Sequence, residues 1–434
     1  MKKKLFFETF EDVQAHLDQL GLFHMDLSLG RMEAFVQSLP LELPFKVIHV
    51  VGTNGKGSTS TFMSRILREA GVRTGLYTSP HFVSVQERAL VDGEPLPQSL
   101  WLEMANLLKE SCPEVEFTYF EFITCVSVLA FIKCGVQVAV MEAGLGGMFD
   151  ATNVFGPDIT VYTPIGMDHE KVLGGSLASI ATDKAGAMQK NGLVVTAPQL
   201  PEVMEILTQT AEKCSVEFKL SIDDHFAVRM AAETRLGLYG EYQRENACTA
   251  VSALQVFAEA TGAVGLCESA VRDGLERAFI PGRLQFVTGL EYENTSLPTL
   301  ILDGAHNAPA MYALRFSLER GGDVPSAVVF ACLADKNIEG LIPELAKILI
   351  ASGGQLIVPE IDSCMRAMPA EKLQKQLADK LEKYGIGENR IERSDGVFPA
   401  LTSLSGTKGP VLVVGSLYLL AEFYTRYSEL LVRK

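Results

Sequence analysis

No stretch of this 434-residue sequence approaches the ~20 consecutive apolar residues of a membrane-spanning helix. The N-terminal segment, Met1 to Phe7, has three lysines but no apolar run of the kind a signal peptide needs, so a cytoplasmic protein without a membrane partner is expected. The eight cysteines (Cys112, Cys125, Cys134, Cys214, Cys248, Cys267, Cys332 and Cys364) include no C-x-x-C pair. They read as reduced core residues rather than zinc ligands or disulfides. Cations are scarce: 38 Lys and Arg stand against 53 Asp and Glu, a net charge of −15. That balance argues against non-specific nucleic-acid binding, which runs on cations neutralising phosphates. An enzyme of this charge that handles anionic substrates must concentrate its cations locally. Lys and Arg inside Gly-rich motifs therefore become informative. Low-complexity tracts and solenoid repeats are also missing.

What remains is ordinary for a soluble globular chain with a full-sized core: 47% hydrophobic and 21% charged residues, enough length for two or three domains. Residues 11–38 read as helical, with Val13, Leu17 and Leu20 on one face. Lys46 to Val51 reads as a buried strand, followed by a helix over 59–70. Further strands are expected at 136–142, 158–163 and 193–196, with helical patterns between them. This alternation predicts a parallel sheet covered on both faces. Around 289–298 the chain turns polar and reaches Pro298, after which alternation restarts. Strands are expected at 299–303, 327–332, 355–358 and 411–415, and helices at 308–320, 339–351, 369–384 and 417–430. The fold class is thus α/β: a P-loop NTPase-like parallel-sheet domain with an N-terminal helical segment over 1–288, a hinge near 288–298, and a smaller Rossmann-like domain over 297–434.

The strongest motif is Gly52-Thr53-Asn54-Gly55-Lys56-Gly57-Ser58, between an expected strand and an expected helix. Glycines let backbone N–H groups turn toward phosphates, the helix N-terminus adds positive dipole, Lys56 adds a point charge, and Ser58 can ligate Mg²⁺. The spacing departs from the common P-loop, because Gly57 separates Lys56 from Ser58. A second cluster runs from Met141-Glu142 through Gly144-Leu145-Gly146-Gly147 to Asp150-Ala151-Thr152-Asn153. Glu142 ends an apolar strand. Alone it could be a solvated strand-end residue; beside a phosphate loop it suits a Mg²⁺ ligand. Ile165 to His169 follows another strand, and Asp183-Lys184-Ala185-Gly186 comes later. A lone His is more often structural and a lone Lys more often a surface residue.

Together these motifs resemble the Mur ligase superfamily, in which G-T-N-G-K is characteristic, and the K-G-S ending resembles the dihydrofolate synthase/folylpolyglutamate synthase branch. The resemblance covers nearly the whole chain. It includes MDLSLGRM (25–32), TSPHFVSVQER (78–88), TYFEF (118–122), GEYQRENA (240–247), PGR (281–283), DGAHN (303–307), LADK (333–336) and GSLYL (415–419). It implies that Gly52 to Ser58 bind ATP with Asn246, Arg283 and Asp303. It implies a metal cluster of Ser58, Glu142, His169 and Lys184, with two Mg²⁺ ions, a carbamylated Lys184 and a monovalent cation such as K⁺. Catalytic roles fall to Lys56, His169 and Lys184. Substrate contacts are implied for Arg31, His81, Arg88, Thr118, Phe120, Asp150, His306 and Ser416. Departures from the family pattern are Met148-Phe149, where relatives often carry Arg-Leu, Asp183 in place of Glu, and Ala308 in place of Pro.

The implied chemistry is ATP-dependent ligation of glutamate to dihydropteroate or reduced folates. Phosphorylation of the carboxylate gives an acyl phosphate, which the amine of glutamate attacks. Closure of the C-terminal domain over the P-loop domain would exclude water. The resemblance implies a monomer with small-molecule partners only. Two other readings remain: a Mur-type UDP-muramoyl ligase, for which the 51 residues before Gly52 leave no room for the usual extra domain, and a P-loop switch without ligase chemistry.

Overall fold

The computed structural model describes residues 6–21, 28–39, 42–334, 336 and 338–432. Residues 25–27 of the MDLSLGRM segment and Asp335 of LADK lie outside them. Among the described residues no helix is long and apolar enough to cross a membrane. The chain divides into two compact units: Met1–Leu236 with Glu245–Ala278, and Gly237–Arg244 with Phe279–Lys434.

The first unit is built on β1 (Lys46–Val51), β2 (Thr74–Tyr77), β3 (Ala89–Val91), β4 (Glu94–Pro95), β5 (Val138–Glu142), β6 (Ile159–Tyr162), β7 (Leu193–Thr196) and β8 (Glu217–Leu220). They form one sheet in the order β4-β3-β2-β5-β1-β6-β7-β8. From β2 to β8 neighbours run parallel. Apolar runs such as KVIHVV suit such strands, because both faces are covered. One face carries a cluster around Trp101, Met104, Phe122 and Phe131. The other carries Ile180, Ala181, Val203 and Leu207. The helix Tyr119–Lys133 is buried along nearly its whole length, and a capping box between Thr118 and Glu121 starts it.

Three features differ from the sequence reading. β3 and β4 add an antiparallel extension, joined by a turn with positive φ at both Asp92 (51°) and Gly93 (79°). Asp-Gly is the pair that tolerates such a turn. The described residues of the 11–38 stretch form two helices, Phe10–Leu20 and Gly30–Ser38. The cysteines are not all core residues: Cys134 and Cys214 are half-buried and Cys267 is exposed.

The second unit contains β9 (Gln285–Val287), β10 (Glu291–Tyr292), β11 (Thr295–Ser296), β12 (Leu300–Leu302), β13 (Ala327–Phe330), β14 (Gln355–Pro359), β15 (Ile391–Ser394) and β16 (Val411–Val414). Six of them form a sheet in the order β15-β14-β13-β16-β12-β9, parallel except for β9. Because β9 pairs with β12, residues 279–288 join this unit, and the division falls after Ala278 rather than after 288. The polar stretch 289–298 contains an ordered hairpin, β10–β11, turned by Glu293 and Asn294 at φ 47° and 62°.

Candidate active site

β1 lies between β5 and β6, and all three end at the same edge of the sheet. Open parallel sheets bind ligands beyond their carboxyl ends. Gly52 follows β1, Ala143 to Gly147 follow β5, and Thr163 to His169 follow β6. The loop after β1 has little freedom. Thr53 N and Asn54 N both donate to Pro164 O, and Thr53 Oγ1 donates to Gly166 O. Glycine is required at two positions: a Cβ at Gly52 would collide with Thr163, and Gly55, at φ 86°, would collide with Asn246. Asn246 thus packs directly on the loop.

The helix Lys56–Glu69 begins immediately after, three residues earlier than the sequence pattern suggests. Its first turn holds no acidic residue, and Gly55 supplies no side-chain cap. Its N-terminal dipole and N–H groups therefore suit an anion. Lys56 Nζ donates to Gly52 O (3.2 Å) and Thr53 O (3.3 Å), which holds the ammonium over the loop.

Lys56, His169 and Lys184 line one pocket with Gly52, Thr53, Gly144, Leu145, Asp168 and Leu173. Lys184 is 5% exposed, and its Nζ reaches Gly52 O at 2.9 Å and Gly146 O at 3.4 Å. Burial first, then the nearby Lys56 charge, lowers its pKa to about 7. Asp183 is pushed the other way by burial, and its Oδ2 has no hydrogen-bond partner among the described residues. His169 sits at φ 53° with a half-exposed side chain, 3.9 Å from Asp168.

Glu142 closes β5 and is 4% exposed. Its Oε2 accepts from Ser79 N (3.1 Å) and would lie 3.6 Å from a Cβ on Gly57, so the carboxylate faces the turn that carries Ser58. Among the described residues no three His, Cys, Asp or Glu side chains converge as a metal cage. His169 and Lys184 line the pocket of the phosphate loop, and Glu142 lies beside that loop at Gly57. A buried carboxylate beside such a loop still fits Mg²⁺, which takes one or two protein oxygens and completes its shell with phosphate and water.

A second group lies on the β2–β5 side. Arg31 pairs with Glu121 through Nε (2.8 Å) and Nη2 (3.1 Å), and Glu121 also accepts from Thr118 N. Arg88 is buried, donates to His81 Nδ1 (2.9 Å), and lies 5.5 Å from the Tyr119 ring centre. Burial, then Arg88, lowers His81 to about 3. Phe120 contacts Tyr77 (5.8 Å between centroids) and faces Gly144. Asp150 is turned inward: Oδ2 accepts from Leu145 N and Oδ1 from Thr152 N and Oγ1.

The chain is similar to known proteins. A family model described as dihydrofolate synthetase, C-terminal domain, matches residues 287–426. The chain is 30% identical over 446 residues to the dihydrofolate synthase/folylpolyglutamate synthase of Bacillus subtilis, covering 97% of this chain and 99% of that one. The chain belongs to the dihydrofolate synthase/folylpolyglutamate synthase family. The Escherichia coli enzyme of the same name is 33% identical over 346 residues, covering 77% of this chain and 79% of that one. Among solved structures, E. coli FolC in complex with DHPP and ADP aligns with a TM-score of 0.82 at 26% identity, covering 98% of this chain and 99% of that one. The Yersinia pestis enzyme complexed with AMPPNP and Mn ion aligns at 0.80 and 25%, covering 98% and 100%.

In this family member the second unit, taken by itself, holds the remaining expected residues. Asp303 is buried, its oxygens accept from Leu284 N and Ala305 N (2.8 Å each), and burial raises its pKa. Arg283 lies against Gly304, His306 Nδ1 is 2.8 Å from Gly304 O, and Ser416 caps the helix Leu417–Arg426. The sequence reading gave no role to Leu145 or Leu173 in the pocket wall, nor to Glu121. For Glu121 a signal existed: Thr118 three residues before it is a capping-box pattern.

Proposed function

We propose that this protein joins L-glutamate to dihydropteroate, to reduced folates, or to both, driven by ATP through an acyl-phosphate intermediate. The observation that carries this reading is the phosphate loop Gly52–Ser58 sharing one pocket with the buried amine of Lys184 and His169. A carboxylate is a poor electrophile. Transfer of the γ-phosphoryl group to a carboxylate oxygen of the pteroyl or folyl substrate, with ADP leaving, makes it reactive. The glutamate amine then attacks the carbonyl carbon, and phosphate departs.

The residues supply the fixed charges this needs. Lys56, at the helix N-terminus, offsets negative charge on the transferring group. Gly52 and Gly55 let backbone N–H groups approach the phosphates. Arg88, buried beside His81, is suited to a substrate carboxylate, and Phe120 and Thr118 to its aromatic portion. Mg²⁺ at two sites, held by Ser58, Glu142, His169 and carbamylated Lys184, would neutralise phosphate charge; a monovalent cation such as K⁺ belongs to the same reading. The ADP, DHPP, AMPPNP and Mn ion of the solved relatives support the nucleotide, the divalent metal and the substrate class. The reading includes a cytoplasmic monomer, which cell fractionation and sedimentation test.

The test of function supplies ATP, Mg²⁺ and glutamate with dihydropteroate or tetrahydrofolate separately, and follows products by mass spectrometry. Each accepted substrate gains one glutamyl unit as ADP appears. ADP release that is independent of both glutamate and the pteroyl substrate would refute the reading.

A further inference from the structure

β1 is Lys-Val-Ile-His-Val-Val, and His49 is its one imidazole in a run of Val and Ile. The residue is wholly buried, and its Nδ1 has no hydrogen-bond partner among the described residues. Burying an unpaired polar atom costs stability, and an aliphatic side chain would fill a strand interior without that cost. Packing therefore does not account for a histidine here. The other ring nitrogen does. Nε2 lies 2.8 Å from Thr152 Oγ1. Thr152 Oγ1 donates its only proton to Asp150 Oδ1 at 2.5 Å, so it must accept from the ring, which fixes the Nε2–H tautomer. Asp150 Oδ2 then accepts from Leu145 N at 2.8 Å, and Leu145 lines the pocket with Lys56 and Lys184.

The bonds converge on Asp150: His49 N–H donates to Thr152 Oγ1, Thr152 O–H donates to Asp150 Oδ1, and Leu145 N–H of the pocket wall donates to Asp150 Oδ2. Protonating Nδ1 would leave a buried N–H without an acceptor. The arrangement thus holds with a neutral ring.

We infer that His49 is a positioning residue, which acts through Thr152 and Asp150 to hold the Gly144–Gly146 loop in shape for the bound nucleotide. The inference rests on the proposal that this pocket takes ATP. The closing experiment separates the two, because it reads binding rather than turnover.

ADP with Mg²⁺ is titrated calorimetrically into wild type, His49→Leu, His49→Gln and Thr152→Val, and Tm is recorded for each. His49→Leu should bind ADP about tenfold more weakly, the scale of one lost buried hydrogen bond. Its Tm should be unchanged or higher. His49→Gln, whose amide N–H can replace Nε2–H, should recover most of the affinity. Thr152→Val should match His49→Leu, and the double variant should be no weaker than either single one. Wild-type ADP affinity in both His49→Leu and Thr152→Val would overturn the inference. So would equal losses in His49→Leu and His49→Gln, or fully additive losses in the double variant. Wild-type enzyme that binds ADP but ligates no glutamate would instead sink the proposed function and leave this inference standing.

Discussion

Replacing Lys184 probes the chemistry of the pocket most directly. Its Nζ is buried against two carbonyl oxygens, with pKa lowered to about 7. A lysine attacks CO₂ only as the free amine. At pH 7 an ordinary lysine of pKa near 10.4 is neutral about once in 2,500 molecules, whereas a pKa near 7 leaves about half of the population neutral. The pocket thus favours the reactive form roughly a thousandfold. Carbamylation exchanges an ammonium, which repels a divalent ion, for an anionic oxygen ligand. One N–H remains, so only one of the two carbonyl bonds survives. Lys184→Ala should lose at least about a hundredfold in kcat, the scale of one lost charge-stabilising group. Formate or acetate should restore part of it. Lys184→Arg should be inactive, because guanidinium does not form the carbamate. The assay is ADP release across added carboxylate, with ¹³C NMR of wild type in ¹³C-bicarbonate. An active Arg variant, or wild type without a carbamate signal at full activity, would refute the reasoning.

Lys56→Ala should fold normally and lose about a hundredfold or more in kcat, since its ammonium bonds to the loop carbonyls of Gly52 and Thr53; near-normal kcat by coupled ADP assay would remove its phosphate role. Glu121→Ala should cost about 2–4 kcal/mol, because it strands Arg31 and uncaps Thr118 N at once; a denaturant midpoint within error of wild type would contradict the network. Buried His49 and His81 have folded pKa values of about 4 and about 3, below the unfolded 6.5. The unfolded chain therefore takes up protons first, so their contribution is complete above about pH 7 and declines as pH falls through 6.5 toward those values. Urea midpoints should drop between pH 7 and pH 5, less steeply in His49→Leu. An identical slope in the two proteins would count against a neutral His49.

The phosphate loop was legible because local sequence determines it: an apolar strand, glycines where Cβ atoms would collide, and a helix start. Glu142 and Lys184 were nameable from family resemblance. The second group was not legible, since the Arg31–Glu121 pair spans 90 residues and no local pattern encodes it. β2, only four residues with an internal glycine, escaped the strand reading. The β3–β4 hairpin left a usable mark in Asp92-Gly93. β9 left no mark of the unit it joins, because it is three residues long and its partner β12 comes later in sequence. Periodicity says nothing about which sheet a short strand will join.

Residues 237–244 belong to the second unit, although the first unit's chain precedes and follows them. Tyr239 donates to Asp323, and Ser317 accepts from Glu241 N. The polypeptide thus passes between units at 236/237, at 244/245 and again at 278/279. No single cleavage can yield two free fragments with all native partners. A gene fragment ending at 278 would display the 237–244 segment without the residues that hold it. During synthesis that segment must wait until Ser317 and Asp323 leave the ribosome, long after its neighbours on either side can fold. Grafting the second unit onto a relative therefore requires exchanging 237–244 together with 279–434, and chimeras joined at one seam should be poorly soluble.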